Sequence, residues 1–589
     1  MKQSFMINGV CYQVESAREG ARLSLELIGS EGGVDELALR CAFDGSAPTR
    51  DIVVTWSEPM RGLLSVWTPT VRRNRAVKQW FAPTVAESRF AEGAPVLAVV
   101  ERGETNRCTV ALSDAVRPAK LSFCVNDFEQ LERVEYRAVM LAEPRELAEY
   151  AARLRVDRRR VPLAEAIASA AMWQRSFYPR RLPVDRRSEA PLYSSWYNFH
   201  QHPSAEALLA DLPMAAKMGF ETVIIDDGWQ YEGNGTGDYF DCGDWAVAPG
   251  KFPDFREFVQ QVHDLGMNLM LWFPVPFVGL NTRAFAEFES RCLHIDRGLF
   301  RAGVLDPRYP EVRAHIVGIL SRFMKDYDLD GLKLDFIDCF SFTEDSPAFG
   351  PGMDCETVDA AVIRLMDEIT DALTAVRPDC LLEFRQNYVN AAITAYGSMV
   401  RVGDCAFDSV TNRMGVADLR MLCPDTAVHA DMLYWAKDET KENGAVQLIN
   451  ILFSVPQVSI QLAKAGPEQR LVIERFVRYM KANCDVLLHA SFEVSGVDAG
   501  YATLTARSAG KRVTAHYLTD SDAFDGQPCD LFNATARPGL LVENATPAEA
   551  EARIVDCLGR TVDTMRLSPG EIRRLPVPVG GMAAIAARD

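Results

Sequence analysis

The sequence predicts an α/β protein: a (β/α)₈ barrel flanked by an N-terminal β-sandwich and a small C-terminal β-sandwich. Three observations carry this expectation. From Met1 to Leu141 short β-branched or aromatic runs are separated by Gly, Asn, Asp and Pro. From about Ala190 eight short apolar runs alternate with amphipathic helical patterns over about 300 residues, the count and length such a barrel needs. After Asn483 strand-like runs return.

In chain order, Asp51-Ile-Val-Val-Thr-Trp56, Gly62-Leu-Leu-Ser-Val-Trp67 and Ala94-Pro-Val-Leu-Ala-Val-Val100 read as antiparallel strands of a sandwich over 1–142. A helical connector and linker is expected over 143–189. Glu143–Arg153 and Pro162–Ala171 each have Pro near the start and Ala or Leu at helical spacing, and Tyr178–Arg187, rich in Arg and Pro, reads as exposed chain. The barrel is expected over 190–485. Its strands are Leu192–Phe199, Thr222–Trp229, Asn268–Val275, Gly331–Ile337, Leu381–Arg385, Met399–Cys405, Ala427–Leu433 and Val458–Leu462. A doubly wound open sheet is the competing architecture, but no G-x-G-x-x-G turn follows the first strand. Helix Pro467–Asn483 closes the barrel, and Arg512–Leu518, Arg553–Asp556 and Arg573–Val577 read as strands of a C-terminal sandwich over 486–589.

Composition narrows the function. Sixty-three Lys+Arg against 81 Asp+Glu give a formal charge of −18. No basic excess exists to release counterions from a nucleic acid. The most apolar stretch, Asn268–Leu280, is too short to span a bilayer and holds two prolines, so no membrane partner is expected. The N-terminus lacks the apolar core of a secretory signal, and fourteen cysteines without C-x-x-C pairs read as reduced, mostly buried thiols. The expected location is cytoplasmic.

In a barrel of this kind the active site lies where the strands end, so the polar residues closing each apolar run are the candidates. The second strand ends in Asp226-Asp227-Gly228-Trp229, the fourth in Lys333-Leu-Asp335-Phe-Ile-Asp338, the fifth in Glu383-Phe-Arg385-Gln386-Asn387 and the sixth in Arg401-Val-Gly-Asp404. Trp196, Trp272 and Phe273 add aromatic surface. Carboxylates accept bonds from hydroxyls and flat rings pack on the C–H face of a sugar, so the set suits a neutral, hydroxyl-rich ligand. Glycoside hydrolysis needs two carboxyl groups across the scissile bond. Asp335, with Lys333 two residues earlier on the same strand face, can stay ionised as a nucleophile, whereas Asp404 would have to hold a proton through a raised pKa.

Blander readings compete at each position. A single Asp after a strand is about as often a helix N-cap, and a single Trp is more often core. His200-x-His202 lacks the partners of a metal site, so no metal is expected. Gly233-Asn-Gly-Thr-Gly237 lacks the ending of a phosphate loop and reads as a flexible loop over the barrel mouth, and Cys405 has no nearby His to activate it.

Asp226-Asp227-Gly228-Trp229, Leu305-Asp306-Pro-Arg-Tyr-Pro-Glu-Val312 and Lys333-Leu-Asp335 resemble the α-galactosidases of glycoside hydrolase family 36, in the clan that includes family 27. The resemblance covers Ala190 to Asn483, and the domain order is also similar. It implies a retaining α-galactosidase that works by double displacement with no cofactor or metal. Asp335 matches the nucleophile, and Asp404 is similar in position to the acid/base. Arg401 looks like the sugar-contacting arginine before that acid. Asp226 and Asp227 match the aspartates on the 4- and 6-hydroxyls, Lys333 the lysine on the 3- and 4-hydroxyls, and Trp229 and Trp272 the pocket walls. The implied partner is a small carbohydrate, and because family members associate through their β-domains a homo-oligomer is also expected.

The departures are specific. Leu334 stands where the family has Trp, and Glu383-Phe-Arg385-Gln386-Asn387 replaces the Cys- and Gly-rich segment facing the sugar's 2-position. One extra residue separates Asp404 from Asp408, which makes Asp408 a weaker competitor for acid/base. Glu383 and Arg385 therefore suggest a specificity other than plain galactose, with 2-amino or 2-acetamido galactosides as the competing substrates. Transglycosylation by the same residues, an inactive sugar-binding barrel and a metal-dependent hydrolase also compete with hydrolysis of a galactoside.

Overall fold

The computed structural model describes residues 1–69, 75–128, 132–232 and 237–588. The segment 233–236 of the Gly-rich loop lies outside them.

The first domain packs a seven-stranded sheet against a six-stranded one. Period-two burial drives the packing: in Arg133–Met140 the buried positions are Val134, Tyr136, Ala138 and Met140. Trp56 stacks on Tyr136 at 5.1 Å in the core. The helix expected over 143–153 is instead a strand, Arg145–Asp157, paired with Val34–Thr49 and Asn106–Leu112. Its Glu, Ala and Arg content suits a helix, but Tyr150, Ala152, Leu154 and Val156 form a buried row at spacing two, and sheet burial prevails. The expected helix after it is present as Leu163–Arg175. Tyr178–Arg187 is tied down rather than exposed: Leu182 is buried, the Tyr178 hydroxyl donates to the Ser113 carbonyl at 3.0 Å, and Arg180 donates to Thr426 at 3.1 Å.

Eight parallel strands form the barrel: β1 (Leu192–Ser194), β2 (Thr222–Ile225), β3 (Asn268–Pro274), β4 (Gly331–Asp335), β5 (Leu381–Arg385), β6 (Met399–Arg401), β7 (Ala427–His429) and β8 (Gln457–Val458). β8 pairs with β1, and the β7–β8 seam is closed by Ala430 N–H to Val455 at 3.1 Å and Leu433 N–H to Gln457 at 2.9 Å. The strands are short apolar runs, buried almost throughout, as parallel strands covered on both faces must be. Several crossover helices start on side-chain caps; Ser204, Asp254, Thr357, Asp408 and Thr440 each accept from an amide three residues on. The C-terminal domain packs a seven-stranded sheet against a three-stranded one around Leu531, Val542, Ile554 and Leu575.

One buried carboxylate joins the three domains. Asp418, on barrel helix Ser409–Leu422, accepts from Trp67 Nε1 at 2.8 Å, from Arg75 at 2.7 Å and from the Tyr501 hydroxyl. Asp418→Asn keeps the shape but removes the charge facing a buried guanidinium; a loss of about 1–3 kcal/mol is expected in denaturant unfolding, whereas Asp438→Asn, at an exposed position, should change little. All fourteen cysteines are unpaired, and only Cys11 is exposed. Among the described residues no helix is long and apolar enough to cross a membrane.

Candidate active site

A cleft of about 600 Å³ opens at the C-terminal ends of the strands. Trp196, Asp226, Asp227, Trp272, Lys333, Asp335, Arg385 and Asp404 line it, together with Tyr239, Phe336, Gln386 and Asn387. Strand alternation explains the set. Lys333 and Asp335, like Glu383 and Arg385, are two residues apart and point to the same side of their strand. The strand-end residue of each pair reaches the cleft, and Glu383 lies beneath it, 0% exposed.

Asp335 is bonded on both carboxylate oxygens. Oδ1 meets Arg385 Nε at 2.5 Å and the Phe336 amide at 2.8 Å, and Oδ2 accepts from Trp272 Nε1 at 3.0 Å and lies 4.0 Å from Lys333 Nζ. Burial would raise its pKa, but the cations Arg385 and then Lys333, with the Trp272 bond, hold it well below the usual carboxylate range. Lys333 Nζ donates to Asp226 at 2.6 Å. Asp227 accepts from Gln201 at 2.7 Å and Gln230 at 2.8 Å, yet burial still pushes it up to about 6. Gly228 after it sits at φ +104°, and a Cβ there would come within 2.5 Å of the Gln201 backbone, so the tight turn that places Asp227 requires glycine.

Asp404 lies at the rim and accepts from Arg401 at 2.8 Å. Desolvation penalises its charge, but Arg401, aided by Lys333, outweighs that penalty and holds the carboxyl low. This corrects the raised value that the sequence reasoning requires of Asp404. Arg401 is buried and does not line the cleft; it also meets Asp431 at 2.5 Å and Glu383 at 3.8 Å.

Three further candidate site residues, Trp229, Asp408 and Glu383, do not line the cleft. Trp229 is not a wall of the cleft: it is fully buried behind β3, packed on Trp245, Phe273 and Phe323, with its indole N–H on the Trp272 carbonyl at 3.0 Å. Asp408 caps helix Ser409–Leu422, accepting from the Thr411 amide at 3.0 Å and its hydroxyl at 2.6 Å, the N-cap role that an isolated Asp often has. Glu383 and Arg385 do not pair with each other: Glu383 accepts from Gln457 at 2.5 Å, while Arg385 bridges Asp335 and Asp338. Cys405 is half-buried, and burial raises its thiol pKa. His200 and His202 belong to no cluster; among the described residues the group of potential metal ligands is Glu189, Cys484 and His489, away from this cleft.

Asp338, among the polar residues closing the fourth strand, has no role assigned from sequence, and Asp431 is not among the candidates. Asp431 follows β7, so the strand-end rule applied to every strand finds it. Tyr239, which stacks on Trp272 with centroids 6.0 Å apart, comes from a loop with no pattern to mark it.

Residues 183–387 match the Melibiase family model. The match runs from just before β1 to just past β5 of the barrel. Curated relatives include alpha-galactosidase AgaA of Geobacillus stearothermophilus, 29% identical over 31% of this chain and 26% of its own length. Another is the "A type blood alpha-D-galactosamine galactosaminidase" of Flavonifractor plautii, 24% identical over 22% of this chain and 13% of the relative. The matched part thus spans about a quarter or less of these relatives. Among solved structures, AgaA aligns with a TM-score of 0.67 at 16% identity over 98% of this chain and 83% of its own. The alpha-galactosidase of Lactobacillus brevis aligns with a TM-score of 0.65 at 15% identity, over 100% of this chain and 83% of its own. These alignments show the three-part fold around the segment that matches the Melibiase model.

Proposed function

We propose that this protein is a retaining α-galactosidase acting on terminal α-D-galactosyl groups. The observation that carries the reading is the convergence on one cleft of an ionised Asp335, a rim carboxyl Asp404 and the Asp226–Lys333 pair. Asp226, Asp227 and Lys333 offer fixed acceptors and a cation to sugar hydroxyls, and Trp196, Tyr239 and Trp272 offer ring faces. Asp335 attacks the anomeric carbon while Asp404 protonates the departing oxygen. Water, losing its proton to Asp404, then releases the sugar. A bound sugar strips water from Asp404 and sets it near the charge on Asp335; both effects favour the protonated carboxyl that the first step uses.

Asp404→Ala tests the division of labour. Turnover of a poorly activated galactoside should fall about 10²- to 10⁴-fold, while α-galactosyl fluoride, whose leaving group needs little protonation, should lose far less. NMR of the first-formed sugar should show the α-anomer. A β-anomer, or equal losses on both substrates, would refute the assignment.

A second reading, a 2-amino-2-deoxy-α-galactoside as substrate, is favoured by charge. The cleft lining carries four carboxylates, Asp226, Asp227, Asp335 and Asp404, against Lys333 and Arg385. The galactosamine-named relative points the same way. Comparing kcat/KM for aryl α-galactoside and its 2-amino and 2-acetamido analogues decides between the readings.

A further inference from the structure

Arg385 is placed unlike a substrate ligand. Its Nε is on Asp335 Oδ1 at 2.5 Å, its Nη2 is 3.2 Å from Asp338, and its Nη1 donates to the Gln386 carbonyl at 2.9 Å. The guanidinium also lies over the Phe336 and Tyr388 rings, 5.1 and 5.6 Å from their centroids. A hairpin of the first domain, Thr84–Arg89 with Glu92–Gly93, holds both arms of this arrangement. Asn390 Nδ2 donates to the carbonyls of Arg89, Phe90 and Gly93 at 2.9, 3.1 and 3.0 Å. The Gly93 amide donates to the Asn387 carbonyl at 2.7 Å, and Arg89 donates to the Asp338 carbonyl at 3.1 Å. Gly93 has φ +64°, and a Cβ there would lie 2.1 Å from the Glu87 carbonyl oxygen, so the hairpin can take this shape only with glycine.

We propose that Arg385 is a positioning residue shared between Asp335 and Asp338, and that its guanidinium is left paired with Asp338 alone when Asp335 becomes a glycosyl ester and is shared again when the ester is hydrolysed. This rests on the galactosidase reading above. In the first step the Asp335 oxygen–C1 bond forms, the C1–leaving-oxygen bond breaks, and Asp404 gives its proton to the leaving oxygen. Asp335 is then neutral, and Asp338 is the remaining carboxylate on the guanidinium. In the second step water adds to C1, its proton goes to Asp404, and the bonding pair returns to Asp335, where Arg385 stabilises the departing carboxylate. A cation so placed weakens Asp335 as a nucleophile and improves it as a leaving group.

The other charges facing Asp335 are Lys333, Arg401 and Asp404. Tyr239, Tyr388 and Cys339 also face it and are kept neutral by burial.

The test compares wild type, Arg385→Gln and Asp338→Asn. Carbon NMR of ¹³C-labelled aspartate, with the Asp335 carboxyl identified through Asp335→Asn, needs no substrate. The Asp335 midpoint should rise by about one to three pH units in Arg385→Gln and should not rise in Asp338→Asn. Stopped-flow release from an aryl α-galactoside should then split the variants. Arg385→Gln should accumulate glycosyl-enzyme and show a burst, because its second step slows. Asp338→Asn should show no burst and a slower first step, because its cation has nowhere else to go. An unmoved Asp335 midpoint in Arg385→Gln, or a change in KM alone, overturns the proposal. Wild type inert toward galactosides would instead sink the galactosidase reading, with the NMR titration still deciding whether Arg385 governs Asp335.

Discussion

Asp335→Asn is expected to lower kcat/KM for an aryl α-D-galactoside by about 10³-fold or more, with the fold intact. The amide is nearly isosteric, and its one carbonyl oxygen can keep one of the two bonds that the carboxylate accepts on separate oxygens, from Trp272 Nε1 at 3.0 Å or from the Phe336 amide at 2.8 Å. Arg385 keeps Asp338 as a partner. What is lost is the anionic oxygen that forms the ester, and no neighbour can replace it, because Asp226 is engaged by Lys333 and Asp404 is committed to proton transfer. Stability should show a pH signature. The folded carboxyl is held below its unfolded value of about 3.9, so its contribution is present at neutral pH and is lost as pH falls toward the folded value. The gap in unfolding free energy between wild type and variant should therefore narrow in strong acid. A variant with wild-type turnover would remove Asp335 from the chemistry.

Arg401→Leu is expected to cost about 3–5 kcal/mol at neutral pH, the penalty for stranding buried charge. Arg401 is 1% exposed and is the cation shared by Asp431, Asp404 and Glu383. Asp431 and Glu383 are themselves 0% exposed, and burial already pushes Asp431 up to about 6 despite Arg401. Without the guanidinium both carboxyls are easier to protonate in the folded state than in the unfolded chain. Stability should therefore recover as pH falls through the raised folded values of these two carboxyls, the opposite trend to that of Asp335. Activity should respond separately. Freed from Arg401, Asp404 should hold its proton to higher pH, so the basic limb of kcat/KM should move up, and Arg401→Lys should restore part of both effects. Denaturant unfolding and a pH–rate profile measure the two. A neutral effect on both would mean that Asp431 and Glu383 are already protonated in the native protein.

Local sequence determined more of the fold than of the site. The barrel was legible because eight buried parallel strands need near-continuous apolar runs, and such runs separated by helical periodicity survive without knowledge of tertiary contacts. The strand-end rule then picked out Asp226, Asp227, Lys333, Asp335 and Asp404, all of which meet in one cleft. Arg145–Asp157 misleads because its composition favours a helix while its burial, fixed by two partner strands, has a period of two. Trp229 shows the limit in the other direction: its place in a motif suggests a wall, and only packing against Trp245 and Phe323 shows it to be core.

Tertiary structure alone decided the electrostatics. That Arg385 grips Asp335 rather than Glu383, that Arg401 lowers Asp404 and that a first-domain hairpin braces the segment after β5 all depend on distances between residues far apart in the chain. A carboxyl's pKa is set by the balance of desolvation against nearby charge. Sequence supplies the identities of those charges, and the fold supplies the separations on which their effect depends.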